Sequence, residues 1–174
     1  DANSSKRCLE ISERHSQVVA SVGLHPNDVG SLNELDAKLD EISTISQKGT
    51  WHAIGETGLD FFHNRSEAVS QEAALLFHLD LADRMNLPVI IHCREAVAQL
   101  VAILEKRGRA VNGVMHCFSE GPEYVARLLD LGLHFSFAGN ISYPKSQAIR
   151  DSAACVPVDR LLVETDAPFL APQP

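Results

Sequence analysis

Residues 88–118, PVIIHCREAVAQLVAILEKRGRAVNGVMHCF, show an alternation of segments from which the class of fold can be predicted. The stretch begins with an apolar run at 88–91 that leads into His92, continues with an amphipathic segment, and ends with a second apolar run that leads into His116. In the middle segment, apolar residues recur at positions 97, 100, 101 and 104, the spacing of a helix with one buried face. A strand, a helix and a further strand in this order predict parallel strands joined by a crossover helix.

The same alternation extends in both directions along the chain. Further candidate strands are VVASVG (18–23), WHAIG (51–55), LHFSFAG (133–139) and RLLVET (160–165). Further candidate helices occupy about 1–15, 31–45, 66–86, 122–132 and 144–155. We therefore predict one α/β domain over residues 1–174. An open doubly wound sheet and a (β/α)8 barrel both fit this order, although no glycine-rich phosphate fingerprint follows the first strand.

Composition narrows the class of protein. The 174 residues are 45% hydrophobic and 22% charged, which is typical of a globular domain with one buried core. No apolar run reaches the roughly 20 residues that a membrane-spanning helix needs. The four cysteines form no CxxC pair, which favours reduced thiols in a cytoplasm. The net charge of −8 argues against a generally basic surface for nucleic acid, but bound cations can supply positive charge locally.

Each predicted strand delivers, at its C-terminal end, a polar side chain of a kind that binds ions or anions. In chain order these are His25, Glu56, His92 with Arg94, His116, Asn140 and Asp166. In a barrel these strand ends converge on one face, where barrel active sites lie. Imidazoles and carboxylates together suit Zn²⁺, Mn²⁺ or Mg²⁺. We therefore predict a divalent metal site, and the alternative is a barrel with a polar rim and no metal.

Four motifs carry a resemblance to a known family. They are AIGETGLDFF (53–62), PVIIHCREA (88–96), GVMHCFSEG (113–121) and LLVETDAPFL (161–170). Together they resemble the TatD family of metal-dependent deoxyribonucleases, which are amidohydrolase-like barrel hydrolases, from about Val18 to Pro172. The resemblance implies a (β/α)8 TIM barrel that cleaves DNA phosphodiester bonds with two divalent metal ions. It implies DNA as the substrate, no membrane and no obligate protein partner.

The resemblance also assigns the metal ligands. By family likeness the ligands are Glu56, His92, His116 and Asp166. Glu56 would bridge the two ions, and the two histidines would bind one of them. Asp166 would bind the other ion and orient, or take a proton from, the attacking water. Glu56 and Asp166 are thus the predicted catalytic residues.

Four other positions match residues around the family's metal centre. His25 and Arg94 correspond to residues near the substrate phosphate. The planar guanidinium of Arg94 matches phosphate oxygens, although the residue is also a candidate for a salt bridge to Glu95 or Glu56. Asp60 resembles a residue that supports the ligands from behind. Glu164 resembles another such support.

The sequence departs from the family pattern in three respects. The family opens with a His-x-His strand that supplies two metal ligands, and this sequence has none. Six candidate strands are visible where a closed barrel needs eight, so we expect further strands before Asp1 and a helix after Pro174. Without them the sheet keeps open edges, and we expect this segment alone to be weakly stable and weakly active. Ala98 stands where an acidic residue is expected.

Three functions therefore compete at this point. A metal-dependent DNase agrees with all four motifs. A related barrel hydrolase of esters or amides, such as a D-aminoacyl-tRNA deacylase, would use a similar metal centre. A truncated, non-catalytic barrel that binds at most one metal ion would agree with the missing His-x-His strand.

Overall fold

Strands and helices alternate along the chain in the computed structural model, which describes residues 1–63 and 65–173. The described strands are β1 (Ser21–Val22), β2 (Ala53–Asp60), β3 (Val89–Arg94), β4 (Gly113–Met115), β5 (His134–Phe137) and β6 (Leu161–Val163). The described helices are α1 (Ala2–Arg14), α2 (Leu32–Ser46), α3 (Ala68–Met85), α4 (Val97–Arg107), α5 (Val125–Asp130) and α6 (Gln147–Cys155). This order confirms the predicted α/β class.

The chain divides into two compact units, with the boundary after His92 and therefore inside β3. In the first unit the strand order is β1-β2-β3, and β1 runs parallel to β2 with Val22 opposite Ile54. In the second unit the order is β4-β5-β6, and both neighbouring pairs are parallel, with Phe137 opposite Val163. Parallel pairing follows from the crossover helices that the sequence predicts. The single domain over 1–174 stays a prediction.

The first unit has its core between β2 and α3. Leu75 and Leu79 on α3 and Ile54 and Leu59 on β2 are all at most 1% exposed. Leu75 and Leu79 lie four positions apart on α3, which is the helical spacing predicted from the sequence. Truncating such a leucine to alanine typically costs about 2–5 kcal/mol, so this packing fixes how the helix lies on the strand.

The second unit has an aromatic core. The rings of Phe118 and Phe135 meet edge to face with their centroids 4.9 Å apart, and Phe137 joins them at 6.3 Å. Phe118 directly follows the HisCys pair at the end of β4, and the other two lie on β5. Edge-to-face pairs contribute stability beyond their buried area. This cluster therefore anchors the loop that carries His116.

Strand β2 differs from its prediction. The sequence predicts a strand that stops at Gly55 and leaves Glu56 at its end, whereas the structure extends the strand to Asp60. Gly55 and Gly58, whose residue type predicts the end of a strand, have φ of 139° and 140° and remain inside the strand. They occupy places where neighbouring backbone leaves no room for a Cβ. Their role is close packing of strands rather than termination.

Two other predicted strand ends also shift. Strand β1 is only two residues long and stops at Val22, three residues before His25. Asn140 lies in a 3₁₀ turn, Gly139–Ser142, after β5, and its side chain is buried. On β6, Leu162 is 47% exposed and Val163 is 81% exposed.

Among the helices in the described part of the chain, none is both long enough and apolar enough to cross a bilayer.

Candidate active site

Three predicted site residues lie together in the first unit. The ligand atoms of His25, Glu56 and His92 all lie within 4.8 Å of one another. His92 Nδ1 is 3.0 Å from Glu56 Oε1, and His25 Nε2 is 3.7 Å from the same oxygen. All three side chains are partly exposed, between 19% and 30%. They are therefore accessible to an ion and a substrate.

Glycines in β2 explain how Glu56 and His92 approach so closely. A Cβ on Gly58 would overlap the backbone carbonyl of His92, and a Cβ on Gly55 would lie 2.6 Å from the carbonyl oxygen of Ile90. A Cβ on Gly23 would lie 2.6 Å from the Cα of Gly55. Glycine removes these clashes at each position, so backbones come close and bring their functional side chains together.

Asp60 orients His92 through a contact with Nε2, the ring nitrogen that does not face Glu56. Its carboxylate is fully buried and accepts hydrogen bonds from the His63 backbone N–H at 2.8 Å, His63 Nδ1 at 2.7 Å and Asn27 Nδ2 at 2.9 Å. Burial raises the pKa of Asp60, but the hydrogen bonds from His63 and Asn27 outweigh burial and hold that pKa below its ordinary value. Asp60 is thus an ionised acceptor, and His92 Nε2 lies 3.1 Å from it.

This contact fixes the chemistry of His92. The ionised Asp60 accepts a hydrogen bond from the Nε2–H, so the ring lone pair is on Nδ1 and faces Glu56. A lone pair 3.0 Å from a carboxylate oxygen is unfavourable unless a second proton or a cation lies between them. A histidine whose second nitrogen donates to a carboxylate is the usual form of a metal ligand. The donor set therefore fits a divalent cation.

His25 has a different hydrogen-bonding state. Its Nδ1 accepts the backbone N–H of Asn27 at 3.1 Å, because His25 caps the 3₁₀ turn Pro26–Asp28. Burial lowers the pKa of His25 despite the opposing charge of Glu56, so the ring is neutral and Nε2 carries the hydrogen. Distance alone groups His25 with the metal ligands. The hydrogen bond at Nδ1 instead makes His25 a donor, as its predicted position beside a substrate phosphate requires.

A second group of predicted residues lies in the other unit. His116 Nδ1 is 2.5 Å from Glu164 Oε2, and His116 Nε2 is 3.4 Å from Asp166 Oδ1. Burial raises the pKa of Glu164, but hydrogen bonds from His116, Ser136 and the Cys117 backbone outweigh it and lower that pKa. Glu164 therefore holds the proton on Nδ1, and the Nε2 lone pair of His116 faces Asp166.

The backbone around this second group is unusual. Cys117 and Asp166 are not glycines, yet they have φ of 47° and 52°. L-residues rarely adopt this left-handed region, and they do so mostly where the surrounding structure enforces it, often at functional sites. Here the backbone N–H of Cys117 donates to Glu164, so the turn itself contributes to the support of His116.

The structure thus brings the predicted site residues together as two groups. His25, Glu56, Asp60 and His92 form the first, and His116, Glu164 and Asp166 form the second. Arg94 is the last residue of β3 and is exposed. That both groups act on the same ions stays a prediction. Sequence reasoning missed Asn27 and His63, because both lie in loops without periodicity and only their hydrogen bonds to Asp60 reveal them.

Comparison with known proteins adds a second line of evidence. The profile of the family described as TatD related DNase matches residues 1–174. The chain belongs to this family. TatD family membership confirms the resemblance read from the four motifs.

Individual relatives agree with the TatD assignment. The uncharacterized metal-dependent hydrolase YcfH of Escherichia coli strain K12 is 40% identical over 166 residues, which are 94% of this chain and 60% of YcfH. The 3'-5' ssDNA/RNA exonuclease TatD of Enterobacter lignolyticus is 34% identical over 171 residues, 97% of this chain and 65% of that protein. The chain thus spans about three fifths to two thirds of the length of these TatD relatives.

A solved structure supports the fold. The crystal structure of YJJV, a TatD homolog from Escherichia coli K12, matches with a TM-score of 0.86 and 32% identity, covering 99% of this chain and 66% of YJJV. This match confirms the predicted class of fold, that of the TatD barrel hydrolases. A likeness of this size over almost the whole chain is strong evidence for a shared fold, whereas function depends on the site.

Proposed function

We propose that this chain forms the core of a metal-dependent hydrolase that cleaves DNA phosphodiester bonds. The observation that carries the proposal is the paired arrangement at His92 and His116. Each ring has one nitrogen held by a supporting carboxylate, Asp60 or Glu164, and presents its other nitrogen to a second carboxylate. Carboxylate-supported histidines of this kind typically bind metal ions.

The proposed ligands are those predicted from the family motifs. Glu56, His92, His116 and Asp166 would hold two divalent ions of the Mg²⁺, Mn²⁺ or Zn²⁺ class. When bound, such ions lower the pKa of a coordinated water and stabilise charge on phosphate oxygens. Asp166 orients the attacking water and accepts its proton. Because Asp166 is 31% exposed, water reaches its carboxylate directly.

His25 and Arg94 are the proposed substrate contacts. The Nε2–H of His25 donates to a non-bridging phosphate oxygen, as its hydrogen bond from Asn27 prepares it to do. Arg94 offers parallel N–H groups to the same phosphate. These groups matter because the net charge of −8 gives the protein no general attraction for DNA. Substrate binding therefore depends on local donors and cations.

The nuclease proposal agrees with one relative's name, the 3'-5' ssDNA/RNA exonuclease of Enterobacter lignolyticus. Single-stranded DNA is accordingly the first substrate to test. A cytoplasmic location, in which cysteine thiols stay reduced, belongs to the same proposal.

The test is a cleavage assay on the gene product that contains this chain. End-labelled single-stranded DNA is incubated with EDTA, Mg²⁺, Mn²⁺ or Zn²⁺, and an aminoacyl-tRNA ester is assayed in parallel. We expect metal-dependent DNA cleavage that falls by more than about a hundredfold in Glu56→Gln, because losing a ligand exceeds the usual effect of losing a supporting residue. Glu72→Gln, on helix α3, is the matched control and retains activity.

Two results would contradict the nuclease proposal. Faster cleavage of the aminoacyl ester than of DNA would favour the deacylase alternative. Folded protein that binds less than one metal ion and cleaves neither substrate would favour the non-catalytic barrel.

A further inference from the structure

The segment that leads from β1 to His25 lacks the support of a long strand. Strand β1 ends at Val22, so Gly23 and Leu24 lie between the sheet and the proposed phosphate donor. Their backbone N–H groups are held by side chains instead. Gly23 N–H donates to Ser5 Oγ on α1 at 3.4 Å, and Leu24 N–H donates to His78 Nε2 on α3 at 3.0 Å.

His78 is completely buried and has no proposed part in the chemistry. Its Nδ1 lies 2.7 Å from the carbonyl oxygen of Ala74, one turn earlier in α3, and therefore donates to it. The hydrogen on Nδ1 leaves a lone pair on Nε2, which is the atom that accepts from Leu24. Both ring nitrogens are thus satisfied, and the ring connects helix α3 to the residue immediately before His25.

The ring performs this role only while it is neutral. A protonated imidazole has hydrogens on both nitrogens, so Nε2 would oppose the Leu24 N–H and leave a buried donor unpaired. Burial lowers the pKa of His78 to about 4, despite the hydrogen bond to Ala74, so the ring is neutral at physiological pH. Leu24 itself is only 2% exposed, so no water replaces the bond.

We propose that His78 is a positioning residue that fixes the backbone before His25 and thereby aims the Nε2–H of His25 at the substrate phosphate. The proposal rests on the proposed function of His25. It extends the site to helix α3, which carries none of the proposed metal ligands. An ordinary core histidine would contribute only stability. A positioning histidine also affects substrate binding.

Three variants of the gene product that contains this chain separate these roles. His78→Leu removes both hydrogen bonds at similar volume. His78→Gln keeps an amide acceptor for Leu24 and an amide donor for Ala74. Leu75→Ala is the matched control, because Leu75 is fully buried on the same helix and its side chain makes no hydrogen bond. KM and kcat for a short single-stranded oligonucleotide, Mn²⁺ affinity and thermal melting are measured for each.

We expect His78→Leu to raise KM about tenfold with little change in kcat, because contacts made equally to substrate and transition state affect KM. Mn²⁺ affinity stays within about twofold, since the ligands are not held by His78. His78→Gln restores KM to within about threefold. Leu75→Ala lowers the melting temperature but leaves KM unchanged. An unchanged KM in folded His78→Leu, or an equal rise in Leu75→Ala, would overturn the proposal.

A readout independent of catalysis distinguishes this proposal from the nuclease assignment. Ring ¹⁵N spectra report the hydrogen on His25 Nε2, and titration with inorganic phosphate reports its contact with an anion. If the wild type cleaves no DNA, the nuclease proposal fails. In that case, a His25 ring signal that differs from the wild type in His78→Leu, but not in Leu75→Ala, supports positioning. A His25 signal in His78→Leu that equals the wild-type signal refutes it.

Discussion

The two site groups build the same chemical unit in opposite ways. In the first unit Asp60 holds Nε2 of His92 and leaves Nδ1 toward Glu56, whereas in the second Glu164 holds Nδ1 of His116 and leaves Nε2 for Asp166. The supporting carboxylate is fully buried in the first group and 19% exposed in the second. The fold therefore determines which ring nitrogen of each histidine faces the second carboxylate, and not only where the histidine lies.

The supports also differ in origin. Asp60 receives its hydrogen bonds from loop side chains, Asn27 and His63, as well as from backbone. Glu164 receives hydrogen bonds from the His116 and Ser136 side chains and from the Cys117 backbone, which lies in a turn with positive φ. Side chains and backbone thus support both carboxylates, but close packing of glycines against backbone accompanies the first group, and residues with positive φ accompany the second. Three experiments follow from this difference.

The largest expected effect comes from strand packing in the first unit. Gly58→Ala forces a Cβ into the His92 carbonyl at a φ of 140°, so the strands must separate. We expect a loss of more than about 3 kcal/mol, the range of severe overpacking and backbone strain together. Gly108→Ala is the control, because Gly108 has a φ of 68° but open space around it, and its cost is about 1–2 kcal/mol. Chemical denaturation measures both.

Equal losses in Gly58→Ala and Gly108→Ala would mean that backbone conformation alone explains the effect. Close packing would then no longer distinguish the first unit from the second.

Acid stability provides a somewhat smaller effect. His78 has a folded pKa of about 4 against an ordinary value of 6.5, so the unfolded chain binds a proton first as pH falls. Above pH 6.5 the ring is neutral in both the folded and the unfolded chain, so it does not change the free energy of unfolding. Between pH 6.5 and 4 the protein loses about 3 kcal/mol from this group. Amide exchange at several pH values should show this loss in the first unit and should not show it there in His78→Gln.

A loss of equal size in both units, or one that persists in His78→Gln, would assign the acid sensitivity to other groups.

The smallest of the three effects concerns the supporting carboxylates. Asp60→Asn and Glu164→Gln each keep the side chain's size but remove its charge, and supporting residues of this kind typically contribute about 10–100-fold in metal affinity. We expect the larger loss for Asp60→Asn, because a buried amide would place donors against those of Asn27 and His63. Isothermal titration with Mn²⁺ measures both. A larger loss in Glu164→Gln would reverse the comparison.

The sequence predicted the class of fold and the residues at the strand ends because apolar periodicity and polar strand ends are local signals. Helix α3 and the capping of α2 by Glu34, which accepts the Ser31 N–H at 3.2 Å, illustrate such signals. Extension of β2 through Glu56 was missed, since Gly55 and Gly58 read locally as a stop. Close approach of another strand is what keeps them in the sheet, and that is a tertiary effect.

Roles of individual histidines were the least predictable. His78 has an apolar helical neighbourhood that reads as ordinary core, and its hydrogen bond to Leu24 spans 54 positions of sequence. The donor state of His25 depends on a turn, and the state of His92 depends on a buried acid. Sequence patterns predict which histidines belong to the site. Only hydrogen bonding in three dimensions determines which ring nitrogen of each histidine carries the proton.

The contact between Gly23 and Gly55 has a consequence for how this protein can diversify. Positions 23, 55 and 58 have no side chains, yet any added atom meets main chain at each of them. Changes that produce a new substrate preference must therefore occur in other loops, since these three glycine positions admit almost no variation. The strictest limits on change then fall on residues that possess no reactive group.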